Sequence, residues 1–132
     1  MAYSILIVDD DEDIRSLLEF HLEKKKFDVD SADDAKSAQK KMLKKRPDVA
    51  LIDVMMPDIN GIDLCKWIVA QPSLQDLPMI MISALEDEAT VQASMKIGAM
   101  GYITKPIDIK VLDNQIELAL KRSERRKEIE GK

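Results

Sequence analysis

The residues Ile5-Leu6-Ile7-Val8-Asp9-Asp10-Asp11 are the most informative about the fold of this 132-residue chain. Its four consecutive apolar residues are typical of a short strand buried on both faces, as in a parallel sheet. Residues 49–52 and 79–82 repeat the pattern, and residues 100–103 form a weaker version. Residues 27–31 alternate between apolar and polar side chains, which predicts a strand nearer an edge of the sheet.

Amphipathic helices are predicted between these runs, because apolar side chains recur every three or four residues. The stripes are Ile14, Leu17, Leu18 and Leu22; Ala35, Ala38, Met42 and Leu43; Ile62, Cys65, Ile68 and Val69; a weaker one within residues 86–97; and Ile109, Leu112, Ile116, Ala119 and Leu120. Pro47 and Pro72 end the second and third helices, Gly98 closes the fourth, and Asp108 caps the fifth. Strands and helices in strict alternation predict parallel pairing, right-handed crossovers and a three-layer α/β sandwich.

Composition places the chain among compact single-domain proteins. Apolar residues make up 45% of it, and 20 basic against 25 acidic residues give a net charge of −5. This acidic balance argues against a general nucleic-acid-binding protein. The single cysteine, Cys65, excludes an internal disulfide and suits a reducing cytosol. Because no apolar run reaches the roughly 20 residues of a membrane span and no signal peptide is evident, we expect a cytoplasmic location.

Polar side chains follow four of the predicted strands. Asp9 and Asp10 come directly after the first, Asp53 after the third, Ser83 after the fourth, and Lys105 just beyond the fifth. Ligands of open α/β sheets bind beyond the carboxyl ends of the strands, near the point where the strand order reverses. We therefore expect the carboxylates, the hydroxyl and the ammonium to meet at one end of the sheet.

Such a cluster supports a limited range of chemistry. Carboxylates held close together repel one another, so they take up protons or bind a cation. An all-oxygen site open to water suits Mg²⁺, and no Cys/His set is present to select a softer metal. A carboxylate, a hard cation, a hydroxyl and a lysine together describe a phosphoryl-transfer site, in which an aspartate can be the accepting nucleophile. These residue types permit that chemistry without establishing it.

Four motifs make the chain closely resemble the bacterial two-component response-regulator receiver domain, of the chemotaxis-regulator type. They are Ile-Leu-Ile-Val-Asp-Asp-Asp at 5–11, Leu-Ile-Asp-Val-Met-Met-Pro-Asp-Ile-Asn-Gly at 51–61, Ile-Ser-Ala at 82–84 and Gly-Tyr-Ile-Thr-Lys-Pro at 101–106. They stand in the family's order and at its spacing, and the resemblance covers residues 3 to about 121. It implies a flavodoxin-like fold with five helices around a five-stranded parallel sheet of order 2-1-3-4-5.

The resemblance also implies an acceptor and a metal site. Asp53 would take a phosphoryl group from a phosphohistidine on a histidine kinase or a phosphotransfer protein. Mg²⁺ would be held by the side chains of Asp10 and Asp53, by Asp9 through water, and by the backbone carbonyl of Met55.

Three further residues receive roles from the same resemblance. Ser83 would donate a hydrogen bond to the phosphoryl group, and Lys105 would pair with it. Tyr102 is similar to the family's aromatic switch residue. The Lys105–Pro106 peptide bond would be cis, as it usually is in the family.

The function implied is a phospho-accepting switch that catalyses only its own aspartyl phosphorylation and dephosphorylation. Phosphorylation would alter the surface of helix 4, strand 5 and helix 5, which then controls a downstream protein or an attached output domain. Direct contact with nucleic acid or with a membrane is not expected, and a phosphorylation-dependent homodimer is a further candidate partner.

Residues 1–121 are assigned to the receiver domain, and residues 122–132 to a charged extension of helix 5 or a linker. Two explanations of this tail stay open. Either the chain is a stand-alone receiver, or it is the receiver of a larger regulator or hybrid kinase.

Other functional classes fit the sequence less well. A phosphohydrolase of the haloacid dehalogenase family needs Asp-x-Asp followed by x and Thr or Val after its first strand, which neither Asp9-Asp10-Asp11 nor Asp53-Val54-Met55 supplies. A flavin or nucleotide binder would need a Gly-rich phosphate loop, which the sequence lacks. A degenerate receiver used as a scaffold is disfavoured, because every expected site position is filled.

Several other polar or reactive residues have a structural interpretation. Helix capping and turn formation are predicted for Asp11, Glu12, Asp13, Asp58 and Asn60. His21 lies on the apolar stripe of the first helix, so we expect it to be partly buried. Cys65 is predicted to be a small core residue.

The residues two positions after Asp53 and Ser83, Met55 and Leu85, are both apolar. In the family these positions flank the path of the hydrolytic water. Because apolar side chains cannot orient that water, slow loss of the phosphoryl group is predicted.

Overall fold

The computed structural model describes residues 2–84 and 88–130, with the side chains of the last helix described as far as Arg125. Within these residues strands and helices alternate as β1 (Ser4–Val8), α1 (Glu12–Lys24), β2 (Asp28–Ala32), α2 (Ala35–Lys44), β3 (Val49–Asp53), α3 (Gly61–Ala70), β4 (Met79–Ser83), α4 (Glu88–Ile97), β5 (Gly101–Thr104) and α5 (Ile109–Glu130). A 3-10 turn at Pro72–Leu74 follows α3. All strand pairs are parallel, in the order β2-β1-β3-β4-β5, which confirms the predicted fold.

The sheet separates two apolar layers. Helices α1 and α5 cover one face through Leu18, Leu22, Leu112, Ile116 and Ala119. Helices α2 and α3 cover the other face through Ala35, Ala38, Met42, Leu64, Cys65 and Ile68. Because both layers are apolar, the central strands β3 and β4 are buried along their whole length, as their unbroken apolar runs predict.

Edge strand β2 has alternating exposed and half-buried residues, in agreement with its alternating sequence. It spans Asp28–Ala32, one residue later than predicted, because pairing with β1 extends to Ala32. Strands β3 and β4 also extend one residue beyond their apolar runs, to Asp53 and Ser83. An apolar run marks the buried interior of a strand, whereas ladder pairing sets its ends.

The helix ends match the capping residues read from the sequence. The side chain of Asp11 accepts from the amides of Asp13 and Ile14, and that of Asn60 accepts from the Asp63 amide at 2.8 Å. Asp108 accepts from the Lys110 amide at 2.9 Å. Gly98, which follows α4, has φ of 120°, a conformation that favours glycine. The predicted start of α4 at residue 86, and Leu85, lie outside the described residues.

Helix α5 continues past the sheet and contacts its amino-terminal edge. The hydroxyl of the buried Ser123 donates to the carbonyl oxygen of Asp48 at 3.0 Å, and the Tyr3 hydroxyl donates to Glu124. The last helix therefore packs against the amino-terminal ends of the strands, opposite to the edge where their carboxyl ends meet. None of the helices among the described residues combines the length and the hydropathy that crossing a membrane requires.

Candidate functional site

Three carboxylates meet at the carboxyl ends of the central strands β1 and β3. One ligand oxygen from each of Asp9, Asp10 and Asp53 lies within 4.8 Å of the other two. Asp9 and Asp53 are only 1% and 3% exposed, whereas Asp10 is exposed. The convergence expected from the sequence is thus present, and it follows from parallel strands placing their carboxyl ends at one edge.

Asp9 is held by backbone and side-chain contacts with β2, with the residues that follow it and with α1. Its amide donates to the carbonyl oxygen of Ala32 at 3.1 Å, at the end of β2. Its Oδ1 accepts from the Asp11 amide at 2.9 Å, and Nη1 of Arg15 donates to its carbonyl oxygen at 2.7 Å. These contacts turn the chain sharply into α1 and fix the Asp9 carboxylate over the end of the sheet.

Asp53 is the last residue of β3 and is followed by a loop that returns to the sheet. The Met55 amide donates to Asp53 Oδ1 at 3.3 Å, and the Gly61 amide donates to the Val54 carbonyl oxygen at 2.7 Å. A Cβ at Gly61 would lie 2.2 Å from the Asp53 carbonyl oxygen. The lack of a side chain at Gly61 therefore lets α3 begin directly against the strand end that carries Asp53.

Lys105 brings an ammonium group into the carboxylate cluster from the end of β5. Its Nζ lies 3.1 Å from Asp9 Oδ2 and 3.6 Å from Asp53 Oδ1. The Lys105–Pro106 peptide bond is cis, as predicted. The Lys105 amide donates to the Ser83 carbonyl oxygen at 2.8 Å, which ties the residue to the end of β4.

Burial and the neighbouring charges together set the electrostatics of the cluster. Desolvation, followed by the charge of Asp9, raises the pKa of Asp53 to about 7. Lys105 and the Met55 amide act in the opposite direction, and Asp10 adds to the rise. Desolvation disfavours the Lys105 ammonium as well, but its contact with Asp9 and the charge of Asp53 prevail and raise its pKa. One ammonium is thus too little to neutralise three carboxylates, and a further cation would be stabilised here.

Ser83 lies at the same edge of the sheet, and Tyr102 lies further down. Asp53 pairs with Ile82 across β3 and β4, so the fully buried Ser83 occupies the next position along that edge. Tyr102 pairs with Met81, below Ser83 in the sheet, and its partly buried ring packs against the apolar layer on the α3 side. Tyr102 is therefore outside the carboxylate cluster, while Ser83 borders it.

The donor set of this cluster fits a hard divalent cation. All three ligand groups are carboxylates, and their spacing allows one ion to contact each of them. Asp9 Oδ2 is buried and accepts no well-directed hydrogen bond within the described part of the chain, although the Lys105 ammonium is its ion-pair neighbour. Oxygen ligands partly open to water are those that Mg²⁺ prefers.

Two contacts of this site were not predicted from the sequence. Arg15 reaches the Asp9 carbonyl from one turn into α1, and Asp58 binds the start of α2, not the helix that follows it in sequence. An arginine on the polar side of a helix and an aspartate in a turn are each common surface features. No local pattern distinguishes these two residues, because their partners are set by tertiary packing.

Comparison with known proteins assigns the family. The family model of the response regulator receiver domain matches residues 5–117, and the chain belongs to this family. The domain is a phospho-accepting switch of two-component signalling, and its members generally bind Mg²⁺.

Curated relatives are transcriptional regulators of about twice this length. The alkaline phosphatase synthesis transcriptional regulatory protein PhoP of Bacillus subtilis is 36% identical over 124 residues, which cover 94% of this chain and 51% of that protein. The transcriptional regulatory protein GltR of Pseudomonas aeruginosa is 36% identical over 121 residues, which cover 92% of this chain and 50% of that protein. The chain thus spans about half the length of the curated relatives it matches.

Solved structures of similar length have the same fold. A CheY-like response regulator receiver domain protein from Methanospirillum hungatei superimposes with a TM-score of 0.87 at 28% identity, covering 96% of this chain and 99% of that one. The chemotaxis protein CheY4 of Vibrio cholerae gives a TM-score of 0.86 at 28% identity, covering 91% of this chain and 100% of that one.

Proposed function

We propose that Asp53 is the phosphoacceptor of this receiver domain and that its donor is a phosphohistidine on a sensor histidine kinase or a phosphotransfer protein. One observation carries the proposal: Asp53 is a buried carboxylate within reach of two other carboxylates and 3.6 Å from the Lys105 ammonium. A nucleophile, a place for a cation and a fixed positive charge are the parts that phosphoryl transfer requires.

The transfer forms one bond and breaks one. A carboxylate oxygen of Asp53 bonds to phosphorus while the phosphorus–nitrogen bond of the phosphohistidine breaks, and the released imidazole takes a proton from water. Lys105 stabilises negative charge on the transferring group, because its ammonium is already fixed beside the acceptor.

A magnesium ion would be bound by the side chains of Asp10 and Asp53, by Asp9 through water, and by the Met55 carbonyl. When bound, it supplies positive charge to the acceptor and to the phosphoryl oxygens. The burial of Asp9 and Asp53 and the shared carboxylate spacing support this assignment.

The switch follows from the added charge. Phosphorylation replaces one carboxylate charge with a group of about −2, which attracts the Ser83 hydroxyl and the Lys105 ammonium. Their movement would pull on the ends of β4 and β5, with Tyr102 following toward Ser83. The surface formed by α4, β5 and α5 would change as a result, and it carries exposed apolar side chains at Met95, Val111 and Leu118.

That surface is our candidate for contact with a downstream protein, with an output domain, or with a second phosphorylated copy. Residues 1–121 are the receiver domain in this proposal, and residues 122–132 are a charged segment toward such a partner, of which 122–130 continue α5. The contact of Ser123 with Asp48 supports an extension whose first turn rests on the domain. Relatives about twice as long agree with an attached output domain, and solved receivers of the same length agree with a stand-alone receiver, so both forms stay in the proposal.

The decisive experiment is intact-mass analysis after incubation with acetyl phosphate, with and without Mg²⁺. The wild-type chain should gain a single phosphoryl group in the presence of Mg²⁺, and Asp53→Ala should gain none. Asp63→Ala, which removes an exposed aspartate of α3 instead, should behave like wild type. Labelling of Asp53→Ala would refute the acceptor, and repeated turnover of small phosphoesters would indicate a phosphohydrolase.

A further inference from the structure

The first amides of α2 are bound by a side chain that comes from another loop. The two carboxylate oxygens of Asp58 accept from the amides of Ala35 at 3.2 Å and Lys36 at 3.3 Å. Asp58 follows β3 by five positions and belongs to the loop between β3 and α3. An ionised side chain at a helix amino terminus is favourable, because it satisfies free amides and faces the positive end of the helix dipole.

Helix α2 also has a cap of its own. Asp34, directly before the helix, accepts from the Ser37 amide at 2.8 Å. The amino terminus therefore shares its donors between a local cap and a remote one. A helix usually has only a local aspartate as its cap. The contact from Asp58 is additional, and it joins the loop that carries Asp58 to the start of α2.

This loop is part of the candidate metal site. It contains Met55, whose amide contacts the Asp53 carboxylate and whose carbonyl is the proposed metal ligand. On the other side, the residue before the α2 turn, Ala32, accepts from the Asp9 amide. The start of α2 thus connects the end of β1, which carries Asp9, with the loop that follows Asp53.

The charge state of Asp58 agrees with this contact. Desolvation would raise its pKa, but the backbone amides of Ile59, Ala35 and Lys36 together lower it below the ordinary value. Asp58 is therefore ionised at neutral pH and binds the helix as a carboxylate.

We propose that Asp58 is a positioning residue for phosphoryl transfer, which holds the loop from Met55 to Asn60 in place by binding the amino terminus of α2. The inference rests on the proposed function, because the loop matters through the metal site and the acceptor. Asp58 is exposed and acts through the backbone of its loop. Its loss should weaken Mg²⁺ binding while leaving the acceptor intact.

The test compares Asp58→Ala with Asp34→Ala in the full chain. Both variants remove one carboxylate from the same helix end, so both should lower the Tm by a few degrees. Bound Mg²⁺ should raise the Tm, and a titration of this rise gives the half-saturating Mg²⁺ concentration. Only Asp58→Ala should increase that concentration, by about fivefold. Asp58→Asn keeps one acceptor oxygen and should give an intermediate value.

Two further readouts separate positioning from helix stability. Amide hydrogen exchange at Gly61, which is bonded to the Val54 carbonyl, should be faster in Asp58→Ala than in Asp34→Ala. In Asp58→Ala, the Mg²⁺ concentration that gives half-maximal acetyl phosphate labelling should rise by the same factor as the one measured from the Tm. Labelling should be restored at high Mg²⁺.

Equal Mg²⁺ dependence of the two variants, together with equal Gly61 exchange, would overturn the proposal and reduce Asp58 to a helix cap. A wild-type chain that neither gains a phosphoryl group nor responds to Mg²⁺ would instead refute the proposed function itself.

Discussion

At the scale of single residues, the site is a balance between burial and charge. Lys105 lies closer to Asp9 than to Asp53, by 3.1 against 3.6 Å, so its charge is shared between the two carboxylates. Desolvation and carboxylate repulsion consequently outweigh it, and the pKa of Asp53 rises to about 7. Because one shared ammonium does not neutralise the carboxylates, the pocket remains negative. Binding of a divalent cation is therefore more favourable than binding of an anionic phosphoryl group without that cation.

Met55 is predicted to affect a different property, the lifetime of the aspartyl phosphate. Its apolar side chain is 57% exposed in the loop that follows Asp53, and an apolar group cannot orient a water for hydrolysis. We expect Met55→Asn to shorten the half-life about 3- to 10-fold, because an amide can hold that water by a hydrogen bond. Adding Leu85→Glu should shorten it further.

The measurement is the decay of the phosphorylated mass after removal of acetyl phosphate. Leu43→Asn is the matched control, since this exposed apolar residue lies on α2 near its carboxyl end. Equal half-lives in Met55→Asn and wild type would show that access of water is limited elsewhere.

At the scale of secondary-structure elements, the junction between β3 and α3 determines how closely the acceptor is held. Gly61 is buried, and α3 begins at this residue against the backbone of Asp53 and Val54. The amides of Met55 and Gly61 fold the intervening loop back over the strand end. A helix that begins this close to a strand requires a residue without a side chain.

Gly61→Ala should therefore destabilise the fold and impair phosphorylation together. The new Cβ would lie 2.2 Å from the Asp53 carbonyl oxygen and 2.8 Å from Val54 Cα, and backbone atoms cannot move aside without distorting the acceptor. We expect a loss of about 2–4 kcal/mol in the free energy of unfolding, measured in urea, and slower acetyl phosphate labelling.

Gly98→Ala provides the comparison for this prediction. Its Cβ would meet no described atom within 4 Å, but the φ of 120° makes the substitution strained. It should cost about 1–3 kcal/mol of stability without slowing labelling. A normal labelling rate in folded Gly61→Ala would show that the close approach serves stability alone.

At the scale of the whole molecule, the first helix α1 and the last described helix α5 are joined on one face of the sheet. Asp113 of α5 contacts His21 Nε2 at 2.8 Å and Lys25 Nζ at 3.0 Å, both on or just after α1. The partly buried structural position predicted for His21 is thus present. Helix α5 is also part of the α4–β5–α5 surface. The contact therefore holds one element of that surface against α1.

The Asp113 contacts make stability depend on pH in the acid range. Desolvation alone would raise the pKa of Asp113, but the hydrogen bonds from His21 and Lys25 lower it below the ordinary value. An acid with a lowered folded-state pKa stabilises the protein above its unfolded-state pKa of about 4, and this stability is lost as the pH falls through the lowered value.

We expect Asp113→Asn to reduce the free energy of unfolding by about 1 kcal/mol at pH 6 and by almost nothing near pH 2. Urea denaturation of both proteins across this range measures the difference. Asp63→Asn, which removes a longer 3.8 Å pair on the surface of α3, should change little at any pH. A constant difference between wild type and Asp113→Asn would exclude the titration of Asp113 as its cause.

Sequence patterns were enough to predict the order of strands and helices along the chain, the caps at Asp11, Asn60 and Asp108, and which residues follow each strand. These features depend on neighbours within a few positions, where hydrophobic periodicity and capping chemistry act. The convergence of Asp9, Asp10 and Asp53 also followed, because parallel strands bring their carboxyl ends together whatever their distance in sequence.

The remaining contacts arise from packing between distant parts of the chain and have no signal in the local sequence. The binding of Asp58 to α2, of Arg15 to the Asp9 carbonyl and of Ser123 to Asp48 each joins residues whose local sequence is ordinary. The sharing of Lys105 between two carboxylates likewise depends on where three strands end in space. Charge and hydrogen bonding act over a few ångströms, so such partners are fixed only after the sheet and its helices have packed.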